Sequence, residues 1–342
     1  MKNFFLIMLI FSQLISAQNL NELQFGTDAT FDLVSWNIEW FPNNSNTSVY
    51  VQEILINLEA DIYALQEIED TTLLKNIVSN IPNYECYFKS SYYGGLAYVY
   101  NTNTIQINSQ YEIFTSNLYW NAFPRSPQVL DFNFMGDEYI VINNHFKCCG
   151  DGILDANNSN DEENRRLQAV TFLKQFIDDD FPNKRVILLG DLNDNLTDNT
   201  ENNIFQDFIN DNTNYLFTDM QIAQGNSLDW SYPTWPSHLD HILITNELFN
   251  SFQNLNSLVS VIRIDDYMSG WNNYENNVSD HRPIGLKLGF NNVNDITEVI
   301  NREKKVIKVV TVLGADVTKN TSGLIIKFYE DGSVEKKYLM KQ

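Results

Sequence analysis

Positive charge is what this sequence has least of. In 342 residues, 22 Lys and Arg stand against 44 Asp and Glu, a formal net charge of −22. Such a surface repels polyanions at long range and counts against tight, nonspecific binding of nucleic acid. It does not exclude action on nucleic acid, because a local basic pocket and a bound divalent cation can supply the attraction. The deficit is also uneven. Residues 302–342 carry nine basic and five acidic side chains, so residues 18–301 hold 12 basic against 39 acidic, a net −27. Long apolar runs are missing after the first 17 residues, and the mean hydropathy of −0.29 argues against a multi-span membrane protein. Disorder is excluded from the other side: 43% hydrophobic residues against 19% charged are enough to bury a sizeable core.

The one apolar run lies at the start. Lys2 supplies a positive charge, residues 4–11 are apolar, and Ser16-Ala17 offers small residues for cleavage before Gln18. That is the pattern of a secretory signal peptide, and the run is short for a membrane span. The expected location is therefore outside the cell or on its surface, with no stable membrane span. Cysteine is scarce, with Cys86, Cys148 and Cys149 the only three. An odd number in an exported protein leaves one thiol over. Adjacent cysteines do not easily take two tetrahedral positions, so no zinc pattern is present. Two pairings are open to them: Cys86 with one of the two others, or those two with each other.

Apolar alternation predicts strands over residues 31–36, 95–100 and 139–144. Short continuous runs at 186–189 and 242–244 read as buried strands, and 284–290 as the last core strand. Leu167, Val170, Leu173, Phe176 and Ile177 have helical spacing, and two further helices are expected near Ile54–Leu58 and Leu73–Val78. Strands mixed with helices over this length predict an α/β protein built on a large sheet core. Asn-rich loops fall at 42–47, 155–164 and 193–203. After a linker at 291–303 the composition turns basic, and 304–342 reads as a separate small β module with Gly314, Gly323 and Gly332 at turns.

Six short strings at predicted strand ends carry oxygen ligands, imidazoles and carboxylates. They are Ser35-Trp36-Asn37-Ile38-Glu39-Trp40, Leu65-Gln66-Glu67, Asn143-Asn144-His145, Gly190-Asp191-Leu192-Asn193-Asp194, Ser237-His238-Leu239-Asp240-His241 and Ser279-Asp280-His281-Arg282-Pro283. Side chains alternate along an extended chain, so Asn37 and Glu39 share a side, as do Asp191 and Asn193. Singly, each string has an ordinary explanation as a turn or a cap. Jointly they do not, since all four histidines of the chain fall inside them. Hard oxygen donors, imidazoles and phosphate-holding groups are what phosphodiester cleavage requires.

In content and order the six strings resemble the endonuclease/exonuclease/phosphatase superfamily, which includes DNase I, repair nucleases of the exonuclease III type, bacterial sphingomyelinases and inositol-polyphosphate 5-phosphatases. The resemblance spans roughly residues 31–290 and implies a four-layer α/β/β/α sandwich with the site at one edge of two packed sheets. It makes Glu67 the principal metal ligand with Asn37 beside it and Asp280 near the metal, while Glu39 matches a metal-proximal acid of some members. Asp191 would activate water, Asn193 would hold the phosphate, and Asp240 would orient His281, which acts on phosphate oxygens or as a base. His145 matches the second histidine of the DNase I and sphingomyelinase branches, a candidate general acid. Arg125 resembles a phosphate-contacting arginine. The implied cofactor is a divalent metal, Mg²⁺ by default, with Ca²⁺ and Mn²⁺ also suited to oxygen ligands.

The implied function is a secreted phosphodiester hydrolase, first of all an extracellular endonuclease acting on DNA or RNA. Alternatives are a sphingomyelinase-like or small-molecule phosphodiesterase or phosphatase, and a noncatalytic surface binding protein. The chain is expected to act as a monomer. Tyr98 and Tyr100 are expected in the core, Arg165 and Arg166 on a solvated helix face, and Trp230, Trp235 and Trp271 in core or rim packing. Residues 147–150 are expected to shape the substrate loop. The C-terminal module, with Tyr329-Glu330-Asp331-Gly332-Ser333-Val334-Glu335-Lys336-Lys337 near its end, is similar to the sorting signal read by type IX secretion machinery in Bacteroidota.

Overall fold

The computed structural model describes residues 19–88, 94–290, 306–311, 317, 323–329 and 334–339. The expected signal peptide and linker lie outside those residues. In chain order the strands are β1 (Thr30–Phe41), β2 (Ile62–Ile68), β3 (Tyr84–Tyr87), β4 (Gly95–Asn101), β5 (Ile105–Glu112), β6 (Gln128–Phe134), β7 (Asp137–His145), β8 (Arg185–Asp191), β9 (Tyr215–Phe217), β10 (Asp240–Thr245), β11 (Leu258–Val261) and β12 (Ile284–Gly289). They form two six-stranded sheets, ordered β11-β12-β1-β2-β4-β3 and β5-β6-β7-β8-β10-β9. The helices that matter most are α1 (Thr47–Leu58), α2 (Thr71–Val78) and α3 (Glu162–Asp180).

Side-chain alternation turns these strands into layers. In β1, Phe31 and Leu33 join the cluster between the sheets, while Val34, Trp36 and Ile38 join the cluster under α1 and α2. A third cluster packs Leu173 and Ile177 of α3 against Ile140, Ile142, Val186 and Leu188. Three apolar interfaces separate four layers, which is the α/β/β/α sandwich. Each fully buried large aliphatic or aromatic side chain adds about 1.5–3 kcal/mol, so both faces of both sheets contribute to stability. The strands predicted from alternation all form, each a residue or more longer than its apolar run except β12, which ends at Gly289.

Loop ends and register place the site. Parallel pairing sets His145 of β7 opposite Asp191 of β8, and antiparallel pairing sets Asp191 opposite Asp240 of β10. In the other sheet Asn37 of β1 lies opposite Gln66 of β2, and Ser35 opposite Ile284 of β12. The chemistry-bearing ends therefore meet at one edge. Gly190 is needed there: at φ +137° a Cβ would come within 1.9 Å of the Asn144 carbonyl oxygen on the neighbouring strand.

Contacts divide the chain into Met1–Phe290 and Asn291–Gln342. The second unit holds an antiparallel sheet of β13 (Val306–Thr311), β14 (Gly323–Tyr329) and β15 (Val334–Leu339). Gly323, expected in a turn, is instead the first residue of β14; Gly314 and Gly332 lie outside the described residues.

Candidate active site

Local backbone irregularity aims the first set of side chains. The β1–β2 register shifts between Asn37 and Phe41, and Glu39 and Trp40 take φ of +36° and +50°. Glu67 also sits in the left-handed region, at φ +61°. A non-glycine residue there costs about 1–3 kcal/mol, and such strain concentrates at functional sites. Glu67 is held by the Trp40 backbone N–H, 3.1 Å from Oε2, and by the Asn37 amide, 3.2 Å from Oε1. The same Asn37 Nδ2 donates to Asp191 Oδ2 at 3.0 Å, while Asn37 Oδ1 accepts from the Glu39 N–H. In this rotamer Asn37 turns its donor side to the two carboxylates. Glu39 Oε2 accepts from the Asp280 backbone N–H at 3.1 Å, which brings the Ser279-Asp280-His281 loop against β1. The Ser279 hydroxyl closes that contact, donating to the Asn37 carbonyl at 2.7 Å and accepting from the His281 N–H at 2.9 Å.

Two imidazoles flank Asp191. His281 Nε2 lies 3.7 Å and His145 Nε2 3.5 Å from Asp191 Oδ2, and His145 Nε2 is 3.8 Å from Glu67 Oε1. His281 Nδ1 contacts Asp240 Oδ2 at 2.7 Å. Asp191 is further held by the Asn193 backbone N–H at 3.1 Å, with Asn193 itself at φ +54°. The two histidines have opposite electrostatics. Burial alone would lower His281, but the charges of Asp240 and Asp191 outweigh it and carry it up to about 10, so it is an imidazolium at neutral pH. Burial, with Arg125 and His281 nearby, pushes His145 well below its usual value, so it is neutral. Burial also raises Asp191, to about 7, with Asp240 and Glu67 adding to it and His281 opposing. Glu39 rises to about 7 through burial and then the charges of Asp280 and Glu67. Burial raises Asp280 as well.

Those mutually repelling carboxylates are the test of whether a metal fits here. Glu67, Glu39 and Asp280 are hard oxygen donors, and after burial the charges of Asp280 and Glu67 raise Glu39, an arrangement a divalent cation would relieve. Asp191, Asp240 and His281 also bring ligand atoms within 4.8 Å of one another. His281 is engaged by Asp240 and protonated, which suits it poorly as a ligand. The carboxylates are the better donor set.

Arg125, Glu67 and His145 line one open cleft of about 620 Å³, together with Trp40, Trp120, Pro124, Lys147 and Cys148. All ten residues singled out from the sequence thus fall at this edge. Others do not. Arg166, expected on a solvated face, is buried; it reaches Asp194 at 2.8 Å and the carbonyls of Lys147 and Cys149 at 2.8 and 2.7 Å, bracing the 147–150 loop. Arg165 binds the Asn121 carbonyl. Tyr98 is core, hydrogen-bonded to the Asn143 N–H and to the Gln128 and Val141 carbonyls. Trp271 packs in the core against Tyr274 and Arg282, while Trp235 is exposed. Cys148 and Cys149 bring their sulfurs to 2.8 Å, and Cys86 packs against the α1–α2 cluster.

Sequence reasoning missed two kinds of residue. Tyr232 lays its ring against His281, with centroids 4.8 Å apart, and the Ser231 hydroxyl accepts from the Asp240 N–H. Neither sits in a recognisable string, although both immediately precede the Ser237–His241 motif. Tyr274 links Trp36 Nε1 at 3.0 Å to the His281 carbonyl at 2.5 Å. Its place nine residues before Pro283, in a polar helix, gave no signal of burial.

The fold and this constellation define a family. Residues 34–281 match the Endonuclease/Exonuclease/phosphatase family, and the chain belongs to it. No curated protein matches the chain. Among solved structures it is similar to D. rerio TDP2 complexed with a single-strand DNA product, at 14% identity and TM-score 0.58, covering 77% of this chain and 100% of that one. The human Nocturnin catalytic domain with bound sulfate is similar at 15% identity and TM-score 0.53, covering 77% and 94%. An endonuclease/exonuclease/phosphatase from Bacteroides vulgatus is similar at 12% identity and TM-score 0.54, covering 77% and 99%. At these identities the likeness concerns the fold.

Proposed function

We propose that this chain is an exported, metal-dependent phosphodiester hydrolase, and specifically an extracellular endonuclease. The observation that carries the reading is the buried Asp191 flanked by an imidazolium, His281, and a neutral imidazole, His145, beside a crowded set of carboxylates. Residues 1–17 support export, the β13–β15 module supports passage through type IX secretion machinery, and no helix among the described residues is long and apolar enough to cross a membrane.

The roles follow from charge and reach. A divalent cation, Mg²⁺ by first choice, held by Glu67 with Glu39, Asp280 and a turned Asn37, would polarise a phosphoryl oxygen. Asp191, held by Asn37 and Asn193, orients the attacking water and accepts its proton. His281, kept charged by Asp240, donates from Nε2 to a phosphate oxygen and stabilises the negative charge that builds there. His145 donates from Nε2 toward the leaving oxygen; an anionic phosphate beside it favours its protonated form. Arg125 and the Asn193 amide hold the remaining phosphate oxygens.

Purified protein assayed on DNA, RNA, sphingomyelin and small phosphoesters, with Mg²⁺, Ca²⁺ or Mn²⁺ and with EDTA, tests the reading. Nucleic-acid cleavage that EDTA abolishes is expected. Hydrolysis of the lipid or small esters without nucleic-acid cleavage would refute the nuclease assignment, and no hydrolysis of any phosphoester would refute the enzyme.

A further inference from the structure

The wall of the cleft carries a pair of thiols for which hydrolysis has no use. Cys148 lines the cleft together with Glu67, His145, Arg125 and Lys147. Cys149, the next residue, is exposed, and its Sγ donates to Cys148 Sγ at 2.8 Å. That bond holds the Cys149 thiol above its usual value. Lys147 Nζ approaches the same Cys148 sulfur at 3.7 Å and is tied to the Cys148 carbonyl at 2.9 Å, with Glu162 3.8 Å away. Cys86 has no part in this. It sits on β3, at the edge of the other sheet, packed against the cluster under α1 and α2.

Neighbouring side chains of an extended chain point to opposite sides, so adjacent sulfurs meet only where the backbone turns. It turns here. Cys149 takes φ +73° and Gly150 φ +106°. Arg166 Nη1 fixes the turn by binding the Lys147 and Cys149 carbonyls at 2.8 and 2.7 Å. Arg166 is itself held by Glu163 at 3.2 Å and Asp194 at 2.8 Å. A cysteine in the left-handed region is strained, and it persists because this buried arginine over-determines the loop. The outcome is two sulfurs less than about 1 Å from the length of a disulfide bond, about 2.05 Å.

We propose that Cys148 and Cys149 are a redox-active dithiol that closes to a vicinal disulfide in the cleft wall and, in closing, releases Lys147 to the substrate. The oxidant is a small disulfide, RSSR. Cys148 Sγ, which accepts from Cys149 and faces Lys147, attacks one of its sulfurs. The S–S bond of RSSR breaks, one RS⁻ leaves and takes up a proton, and Cys148 carries the mixed disulfide. Cys149 then loses its proton, attacks Cys148 Sγ and expels the second RS⁻, which is protonated in turn. Two electrons and two protons pass from the pair to RSSR, giving two RSH. The bridge is readily reduced again. Neighbouring Cα atoms lie about 3.8 Å apart, below the roughly 4.4–6.8 Å that disulfides span, so the ring closes under strain. A disulfide sulfur carries no charge and accepts poorly, so Lys147 loses that partner and its ammonium joins Arg125 in facing a phosphate. This effect on substrate rests on the hydrolase reading above; the thiol chemistry does not.

The test treats the full chain with oxidised glutathione or with a phosphine reductant, blocks free thiols with N-ethylmaleimide, and maps the peptides by mass. Oxidised protein is expected to lose two hydrogens within the peptide that holds Cys148 and Cys149, while Cys86 takes the maleimide. Cys149→Ala should instead stop at the mixed disulfide, with one glutathionyl group on Cys148. A bridge that includes Cys86, or a lasting glutathionyl adduct on the parent, overturns the dithiol. Maleimide on all three cysteines after the oxidant does the same. On whichever phosphodiester is cleaved, KM should be about two- to fivefold lower in the oxidised form than in the reduced form at similar kcat, the range of one partly exposed charge contact. Lys147→Ala, and separately the double variant Cys148→Ala with Cys149→Ala, should each remove that difference. Equal KM in the two forms of the parent overturns the release of Lys147. Should no phosphoester be hydrolysed, the hydrolase reading falls, and the thiol mapping still decides the dithiol.

Discussion

Two Asp–His clusters sit one residue apart along β10, and they have opposite uses. Asp240 points to the cleft side and pairs with His281; His241, the next residue, points the other way, among Phe205 and Phe217. Both clusters are buried, and each gathers ligand atoms within 4.8 Å, so composition does not separate them. Hydrogen bonding does. His241 Nδ1 contacts Asp219 Oδ2 at 2.6 Å and its Nε2 contacts the Asp194 carbonyl at 2.8 Å, so both nitrogens face acceptors. His238 Nε2 reaches the same Asp219 oxygen at 3.0 Å while its Nδ1 accepts from the Ser231 N–H. Asp219 Oδ1 accepts from the Ile242 N–H. Nothing is left to offer a substrate or a metal. In the Asp191 cluster, His145 Nδ1 and Asp240 Oδ1 have no hydrogen-bond partner among the described residues, and His281 Nε2 stops 3.7 Å short of Asp191. A saturated polar cluster is a fastener. An unsaturated one is available for chemistry.

The contrast is breakable at both ends. The largest expected effect is on turnover: His281→Ala should lower kcat by about 10²–10⁴-fold on whichever phosphodiester is cleaved, measured on the folded fraction. Comparable activity in that variant would erase the distinction.

Next, Asp219→Ala should cost about 3–5 kcal/mol in urea unfolding, because it strands a buried imidazolium, while the folded fraction still turns over. Its pH signature is fixed in sign. Burial opposes the Asp219 charge, but His241 and His238 hold its pKa below 3.8, so its contribution is present above that value and is lost as pH falls. His241 is lowered by burial but raised more by Asp219, so its contribution is present below 6.5 and is lost as pH rises through its higher folded value. The stability gap between parent and variant should therefore be widest between those limits. A gap that grows below pH 4 would contradict the pairing.

The smallest effect belongs to Tyr274→Phe, which removes the hydroxyl joining Trp36 Nε1 to the His281 carbonyl. An orphaned buried indole N–H costs about 1–3 kcal/mol, and turnover should fall far less than in His281→Ala. Unaltered stability would show that the hydroxyl does not brace the His281 loop.

Much of this was readable in the sequence, and the part that was not has physical reasons. The strands that form sheet interiors alternate or run apolar, so 31–36, 139–144 and 186–189 announce themselves. β5 does not: its burial is partial along most of Ile105–Glu112, and Gln106, Asn108 and Gln110 read as loop. The site strings were legible because strand-end Asp, Asn and His cluster in short windows. Arg166 was misread because its partners, Asp194 and the carbonyls of 147 and 149, are 17 to 28 residues away and no local pattern marks them. Trp120 and Tyr232 likewise acquire their positions from tertiary contact. Local chemistry is written locally. What surrounds it is written by the fold.

One consequence concerns how the two sheets are bolted together. Asn37, Glu67 and His281 come from or border one sheet, and His145, Asp191 and Asp240 come from the other; the Asn37–Asp191 and Asp240–His281 bonds cross the seam. The reacting groups are thus a vernier on the alignment of two rigid plates. A slip of an ångström along their shared apolar face, too small to alter either plate, would put every pair that crosses the seam out of reach at once. Activity in this molecule is a finer gauge of inter-sheet alignment than any measure of its secondary structure.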